Sequence, residues 1–234
     1  MLCKIADLIT DVPDTGGLAP RCLDYRYSGM QMPDIVIREE RYRRGHYDPR
    51  LSENTVAYME AAYQFYLELV NFSGFYLHAS AVVKDGKAYL FSGPSRAGKS
   101  THGRLWQQEF DAYVINDDKP ALRLLDGTWY AYGTPWCGKD GINRNEKVPV
   151  AGLCFLKKAP ENRIRRLDLQ EAMRKILSQT IYKFTQAEQL DKMLGLVEQF
   201  LRKIPVYELE NVPEPTAAQL SCETLNRGAE EAGL

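Results

Sequence analysis

The sequence contains the stretch Gly93-Pro94-Ser95-Arg96-Ala97-Gly98-Lys99-Ser100. It matches the Walker A, or phosphate-binding loop (P-loop), pattern GxxxxGK[ST] at every fixed position. Glycines in such a loop let backbone N–H groups curl around phosphate oxygens, Lys99 neutralises charge on the β- and γ-phosphates, and the Ser100 hydroxyl can hold Mg²⁺. Together with Thr101, this stretch is predicted to bind a nucleoside triphosphate.

The residues on either side of the stretch indicate a strand, a loop and a helix. An apolar run at 88–91 leads into the loop, and residues 100–110 are predicted to be helical. Upstream, residues 75–83 are predicted to form one strand, joined to the apolar run by an Asp85-Gly86 turn. The loop would therefore follow an antiparallel hairpin.

Two adjacent acids, Asp117 and Asp118, end a predicted short strand at 112–118. A carboxylate at the end of a buried strand is the group that holds Mg²⁺ beside a loop-bound nucleotide. The second carboxylate could accept a proton from an incoming hydroxyl. The alternative is a solvated pair that caps a turn before Pro120.

His78 lies in the predicted strand 75–83, among apolar residues. The hairpin would bring it near the nucleotide, where it could be a metal neighbour or a proton relay. The alternative is a histidine at the core edge, bonded to a backbone carbonyl. His46 and His102 are predicted to be solvated.

Further elements are predicted from apolar spacing and turn residues. Residues 1–52 should form short strands and loops, residues 54–70 a helix, and residues 121–132 a second hairpin, so that the sheet is mixed. The remaining predictions are neighbouring strands at 150–157 and 163–167, a strand at 205–209, helices at 170–179, 187–203 and 216–227, and a frayed tail at 229–234. We divide the chain into an extension, 1–70, that could contact substrate or another subunit, and a P-loop domain, 71–234.

Three segments together resemble the HPr serine kinase/phosphorylase family and its shorter relatives. They are Leu77-His78-Ala79-Ser80-Ala81, the loop from Gly93 to Thr101, and Asn116-Asp117-Asp118. Phosphoenolpyruvate carboxykinases are similar at a greater distance. The resemblance implies an α/β fold of the mixed-sheet P-loop type found in these two families, with a short N-terminal extension.

By position, the resemblance implies that Lys99 and Ser100 bind phosphate and metal, that Asp117 helps to hold the metal, and that Asp118 is the base, with His78 beside them. Which aspartate takes which role stays open. The N-terminal part is too short for the separate domain of the full-length enzymes, and their downstream glycine-containing signature is missing. The nearer models are kinases of free serine or of peptides.

A long loop at 133–147 is rich in glycine and carries basic side chains. Short relatives have a similar Gly-x-Pro-Trp-x-Gly-Lys segment, which implies that Lys139 or Arg144 neutralises charge on the transferring phosphoryl group. The alternative is an ordinary surface loop. Trp136 could plug the core or line a substrate pocket.

Composition sets outer bounds on function. The 234 residues include 30 basic and 31 acidic side chains, so no net charge favours nucleic acid, and no apolar run approaches a membrane span. The 5 cysteines are scattered without a CxxC pair, which fits reduced thiols, and the N-terminus shows no signal peptide. We expect a cytoplasmic protein without membrane or nucleic-acid partners.

These observations predict a kinase that uses ATP and Mg²⁺ and transfers the γ-phosphoryl group to a serine-type hydroxyl. The acceptor would be a serine-containing small molecule, a peptide or a carrier protein, and the resemblance is compatible with a homo-oligomer. The alternatives are a non-catalytic ATP sensor and, less favoured, a carboxykinase-type lyase.

Overall fold

The computed structural model describes residues 1–15, 17–180 and 187–234. The strands of this part of the chain are β1 (Leu2–Ile5), β2 (Leu8–Asp11), β3 (Ile35–Val36), β4 (Gly74–Tyr76), β5 (Ala79–Lys84), β6 (Lys87–Ser92), β7 (Ala112–Asn116), β8 (Ala121–Leu125), β9 (Thr128–Tyr132), β10 (Lys147–Lys158), β11 (Arg163–Arg166) and β12 (Val206–Asn211). The α-helices are α1 (Leu18–Arg21), α2 (Glu53–Leu69), α3 (Lys99–Glu109), α4 (Leu169–Ser178), α5 (Ala187–Lys203) and α6 (Pro215–Glu231).

Nine of the described strands form one mixed sheet in the order β4-β8-β9-β10-β6-β5-β7, with β12 beside β10 and β11 beyond β12. The long strand β10 pairs in parallel with β6 and β12, and its first residues pair antiparallel with β9. Parallel and antiparallel pairs therefore coexist, as the sequence predicts.

Two tight turns build the hairpins of this sheet. Asp85 and Gly86 have φ of 50° and 72°, and Asp126 and Gly127 have φ of 47° and 78°. Positive φ at both central residues is the type I′ geometry, whose twist matches the strands that it joins. The turns connect β5 to β6 and β8 to β9, which confirms both predicted hairpins.

The predicted single strand at 75–83 is wrong, because the chain breaks between β4 and β5. β4 pairs with β8, whereas β5 pairs with β6 and β7. At the break, the His78 N–H donates to the Gln179 carbonyl at 2.7 Å, and Ser92 Oγ donates to the His78 carbonyl at 2.8 Å. These long-range partners replace the ladder hydrogen bonds and leave His78 between two strands.

Two further predictions near the C-terminus need correction. β11 pairs with β12 and does not neighbour β10, since β12 occupies the place between them. The final helix continues into the tail predicted to fray, 229–234, and ends at Glu231. Its last turns are held by burial of Gly228 and Ala229, and the Cβ that a side chain would add at Gly228 would lie 2.1 Å from the Tyr207 hydroxyl.

Helices cover both faces of the central strands. On one face, α3 and α6 enclose an apolar cluster around Trp106 and Leu225, and on the other face α4 and α5 enclose a cluster around Ile176 and Phe200. In the described residues, no helix is long and apolar enough to cross a membrane.

The N-terminal residues form a second, three-stranded sheet in the order β1-β2-β3. This sheet packs with α2 against the β8–β9 hairpin, so that one core joins both parts of the chain. Trp136 is fully buried in this core, with its ring 4.9 Å from that of Phe65. Of the two roles predicted for Trp136, the structure therefore places it in the core.

Candidate nucleotide and phosphoryl-transfer site

The loop between β6 and α3 turns through left-handed backbone conformations. φ is +145° at Gly93, +68° at Arg96 and +105° at Gly98. A side chain at Gly93 would also place Cβ 3.0 Å from the Leu156 carbonyl oxygen, so both glycines are required by the path of the loop. The loop ends at the first turn of α3, where unpaired N–H groups and the helix dipole favour an anion.

Lys99 is the first residue of α3 and is 8% exposed. Its Nζ donates to the Gly93 carbonyl at 3.0 Å and lies 3.5 Å from the Pro94 carbonyl. Burial lowers the pKa of Lys99, and the charge of Asp118 partly opposes that effect. The Lys99 ammonium is thus folded back onto the loop between β6 and α3.

A cavity of about 830 Å³ opens beside the loop, within the size range of small-molecule and cofactor sites. Its lining gathers residues from the loop, the strand ends and the long loop after β9. They are His78, Ser95, Arg96, Ala97, Gly98, Lys99, Ser100, Thr101, His102, Leu105, Asp117, Asp118, Gly138, Lys139, Lys158, Ala159, Asn211 and Pro213.

Asp117 follows β7 directly and is 6% exposed. Burial raises its pKa, and the Gly138 N–H, which donates to Asp117 Oδ1 at 2.6 Å, partly offsets the rise. Asp117 and Ser100 line the main cavity and also a smaller one of about 170 Å³. They are hard oxygen donors on facing elements, the ligand type that Mg²⁺ takes together with phosphate oxygens and water.

No group of three or more His, Cys, Asp or Glu side chains is placed to hold a metal within the described ranges. A protein-only metal cage is not required here, because Mg²⁺ commonly uses one or two carboxylates and the phosphates of its substrate.

Asp118 lies between two cationic or hydrogen-bonding partners. Its Oδ1 is 2.9 Å from His78 Nε2, and its Oδ2 contacts Lys119 Nζ. Burial alone would raise the pKa of Asp118, but the hydrogen bond from His78 and the charge of Lys119 outweigh it and hold the pKa well below its usual range. Asp118 is therefore an ionised carboxylate at neutral pH.

Asn116 fixes the turn that carries both acids, a role that the sequence analysis missed. Its side chain is fully buried, and its Nδ2 donates to the carbonyls of Thr134 at 3.0 Å and Trp136 at 3.2 Å. Its Oδ1 accepts from the backbone N–H groups of Asp118 at 3.0 Å and Lys119 at 2.6 Å. The amide thus ties the double acid to the long loop.

The long loop approaches the acids through Gly138, where a Cβ would lie 2.9 Å from Asp117 Oδ2. The next residue, Lys139, lines the cavity. Arg144 does not, since its guanidinium lies 5.1 Å from the centre of the Tyr113 ring and its side chain is 53% exposed. Of the two cations predicted from this loop, the structure brings only Lys139 to the site.

His102 is buried, contrary to the predicted solvated position, whereas His46 is exposed. His102 Nε2 lies 2.9 Å from Ser221 Oγ on α6, and burial lowers the pKa of His102 to about 4. The residue faces α6 because α3 turns this side toward the core. It therefore supports the packing of α3.

The cavity wall at the ends of β10 and β12 was also missed by the sequence analysis. It is formed where β10 and β12 end, by Lys158, Ala159, Asn211 and Pro213. These residues belong to no recognised motif and are far from the loop in sequence. A signal for them exists only in the strand pairing, which places Lys158 opposite Asn211.

No family model matches the sequence, and no curated protein matches it. Among solved structures, the chain is similar to the HPr(Ser) kinase/phosphatase from Coxiella burnetii, with 16% sequence identity and a TM-score of 0.39. The match covers 66% of this chain and 90% of that chain. This likeness is too low to carry a conclusion about activity.

Proposed function

We propose that the protein is a kinase that uses ATP and Mg²⁺ and transfers the γ-phosphoryl group to a serine-type hydroxyl. The observation that supports this function is one cavity that holds both a P-loop with Lys99 and the ionised Asp118 paired to His78. The residues that we propose for phosphate binding and the residue that we propose as proton acceptor line the same cavity. The acceptor would be a serine-containing small molecule, a peptide or a carrier protein.

The residues divide between binding and chemistry. The loop N–H groups and Lys99 would hold the phosphates, and Ser100 and Asp117 would hold Mg²⁺, which, when bound, neutralises charge on the β- and γ-phosphates. Asp118 would accept the proton of the acceptor hydroxyl, while His78 keeps the carboxylate oriented through the contact at 2.9 Å.

In the proposed step, the acceptor oxygen forms a bond to the γ-phosphorus and the bond from the γ-phosphorus to the bridging oxygen breaks. ADP leaves with the electron pair of that bond, and the acceptor proton passes to Asp118. Catalysis then rests on positioning and on charge neutralisation, with no covalent enzyme intermediate.

The test is an incubation of the purified protein with ATP, Mg²⁺ and separate pools of free serine, serine-containing peptides and HPr, with ADP and acceptor mass as readouts. Lys99→Ala and Asp118→Asn are expected to lower transfer by about 10²-fold or more. Asp111→Asn, an exposed acid before the other end of β7, is the matched control and should keep normal activity.

Near-normal transfer by both Lys99→Ala and Asp118→Asn would refute the assignment. Tight ATP binding without metal-dependent turnover of any pool would instead favour a nucleotide sensor.

A further inference from the structure

The main cavity continues past the P-loop to the ends of two parallel strands. Lys158 is the last residue of β10 and Asn211 the last of β12, and the two are register partners. Both line the cavity, together with Ala159 and Pro213. This end of the cavity has no role in the phosphate and proton chemistry of the proposed function.

Strand alternation puts these two positions on the side of the sheet that carries the P-loop. Residues two apart on a strand share a face. Leu156 and Leu209, two residues before Lys158 and Asn211, belong to the buried cluster that α3 and α6 cover. The Leu156 carbonyl also borders Gly93, so the loop lies directly beside this wall.

Asn211 is 6% exposed, and no hydrogen bond joins its side-chain amide to any residue of 1–15, 17–180 or 187–234. Its backbone carbonyl is already used, since it accepts from the Ala159 N–H at 3.2 Å. Neither polar atom of this amide is among the fully buried, unpartnered side-chain atoms of the described residues, so the amide is accessible from the cavity that Asn211 lines. Asn211 therefore has one donor and one acceptor group available to a ligand in the cavity.

We propose that this end of the cavity holds the nucleoside of the bound nucleotide, and that the Asn211 amide recognises the adenine edge, an inference that rests on the proposed function. An asparagine amide pairs with adenine by accepting from N6 and donating to N7. The same edge of guanine offers two acceptors, O6 and N7, and leaves the amide oxygen unpaired. Ala159 and Pro213 supply apolar contact beside the amide.

The test measures Kd by titration calorimetry of the full-length protein with Mg²⁺ and three probes: ATP, GTP and inorganic triphosphate. Asn211→Leu is expected to weaken ATP binding by about 10-fold or more and to leave triphosphate binding within about twofold. The matched control is Glu210→Gln, the preceding residue, which pairs with Lys157 at 2.6 Å on the opposite face of the strands. This control should bind all three probes as the wild type does.

A second variant, Asn211→Asp, keeps the side-chain volume and serves if the leucine variant does not fold. Asn211→Asp should also weaken ATP binding, because a carboxylate cannot donate a hydrogen bond to adenine N7. Unchanged ATP affinity in a folded Asn211 variant would overturn the inference, and so would an equal loss for ATP and inorganic triphosphate, which a contact to the base cannot cause.

Two outcomes separate this inference from the function on which it rests. If the wild type binds ATP and inorganic triphosphate equally and Lys99→Ala weakens both, the P-loop site stands and the nucleoside contact is refuted. If the wild type binds no triphosphate at all, the proposed function and this inference fall together.

Discussion

Lys139 is the residue through which the long loop brings a positive charge to the cavity. Its ammonium makes no ion pair with any described residue, so it is available to a ligand. A cation aimed at the transferring phosphoryl group stabilises charge that develops in the transition state. We expect Lys139→Ala to lower kcat by about 10²-fold, measured as ADP formation that depends on Mg²⁺ and acceptor.

Arg144→Ala is the matched control, because it removes a cation from the same loop that lies against Tyr113 and outside the cavity lining. It should retain kcat within about twofold, since an exposed side chain away from the site contributes little to the transition state. Equal kcat in Lys139→Ala and the wild type would contradict the role assigned to Lys139.

The grouping of candidate site residues could be predicted where sequence motifs pointed to them. Lys99, Asp117, Asp118 and His78 were singled out from the sequence, and the structure places all four around one cavity. Asn211 was not predicted as a cavity residue, because a lone asparagine at a strand end has no sequence signal until the pairing of β12 with β10 is known.

At the scale of elements, one buried hydroxyl of α6 contacts two side chains of α3. Ser221 Oγ accepts from Trp106 Nε1 at 2.9 Å and lies 2.9 Å from His102 Nε2. Ser221→Ala would leave the Trp106 N–H buried without a partner, at a cost of about 1–3 kcal/mol in the free energy of unfolding. Urea denaturation of the ligand-free protein measures this loss.

Gln219→Ala is the comparison variant, because Gln219 joins the same two helices through Glu109 at 3.2 Å on the exposed side. Its expected effect is below about 0.5 kcal/mol. Similar losses for the two variants would show that the buried hydroxyl has no special share in holding α3.

Local signals predicted elements well and connections poorly. The Asp-Gly turns identified both hairpins, because that dipeptide readily adopts positive φ at two successive positions. The break at His78 was not predictable, since it depends on Gln179 and Ser92, which are distant in sequence. The placement of β11 was also wrong, because β12, which separates it from β10, comes later in the chain.

At the scale of the whole molecule, residues 1–70 and 71–234, which the sequence analysis treats as two parts, share one apolar core. Residues from β1, β2 and α2 pack with Ala121, Tyr132 and Trp136 of the second part. Polar contacts cross the same boundary. In one of them, the Tyr132 hydroxyl donates to Asp7 Oδ2 at 2.8 Å. The N-terminal part is therefore built into the same folded unit as the strands that carry the site.

Arg123 forms a buried, charged hydrogen bond across this boundary. It is 8% exposed on β8, its Nη1 donates to the Ala6 carbonyl at 2.6 Å, and its Nε donates to the Phe72 carbonyl at 2.9 Å. Arg123→Met keeps the apolar stem and removes both charged donors, so we expect a loss of about 2–4 kcal/mol in the free energy of unfolding, measured by urea denaturation. Lys4→Met is the control, because Lys4 pairs with Asp7 at 3.5 Å in the same turn but at the surface, where its loss should stay below about 0.5 kcal/mol. If Arg123→Met were no more destabilising than Lys4→Met, the two hydrogen bonds of the Arg123 guanidinium would make no net contribution to the free energy of unfolding.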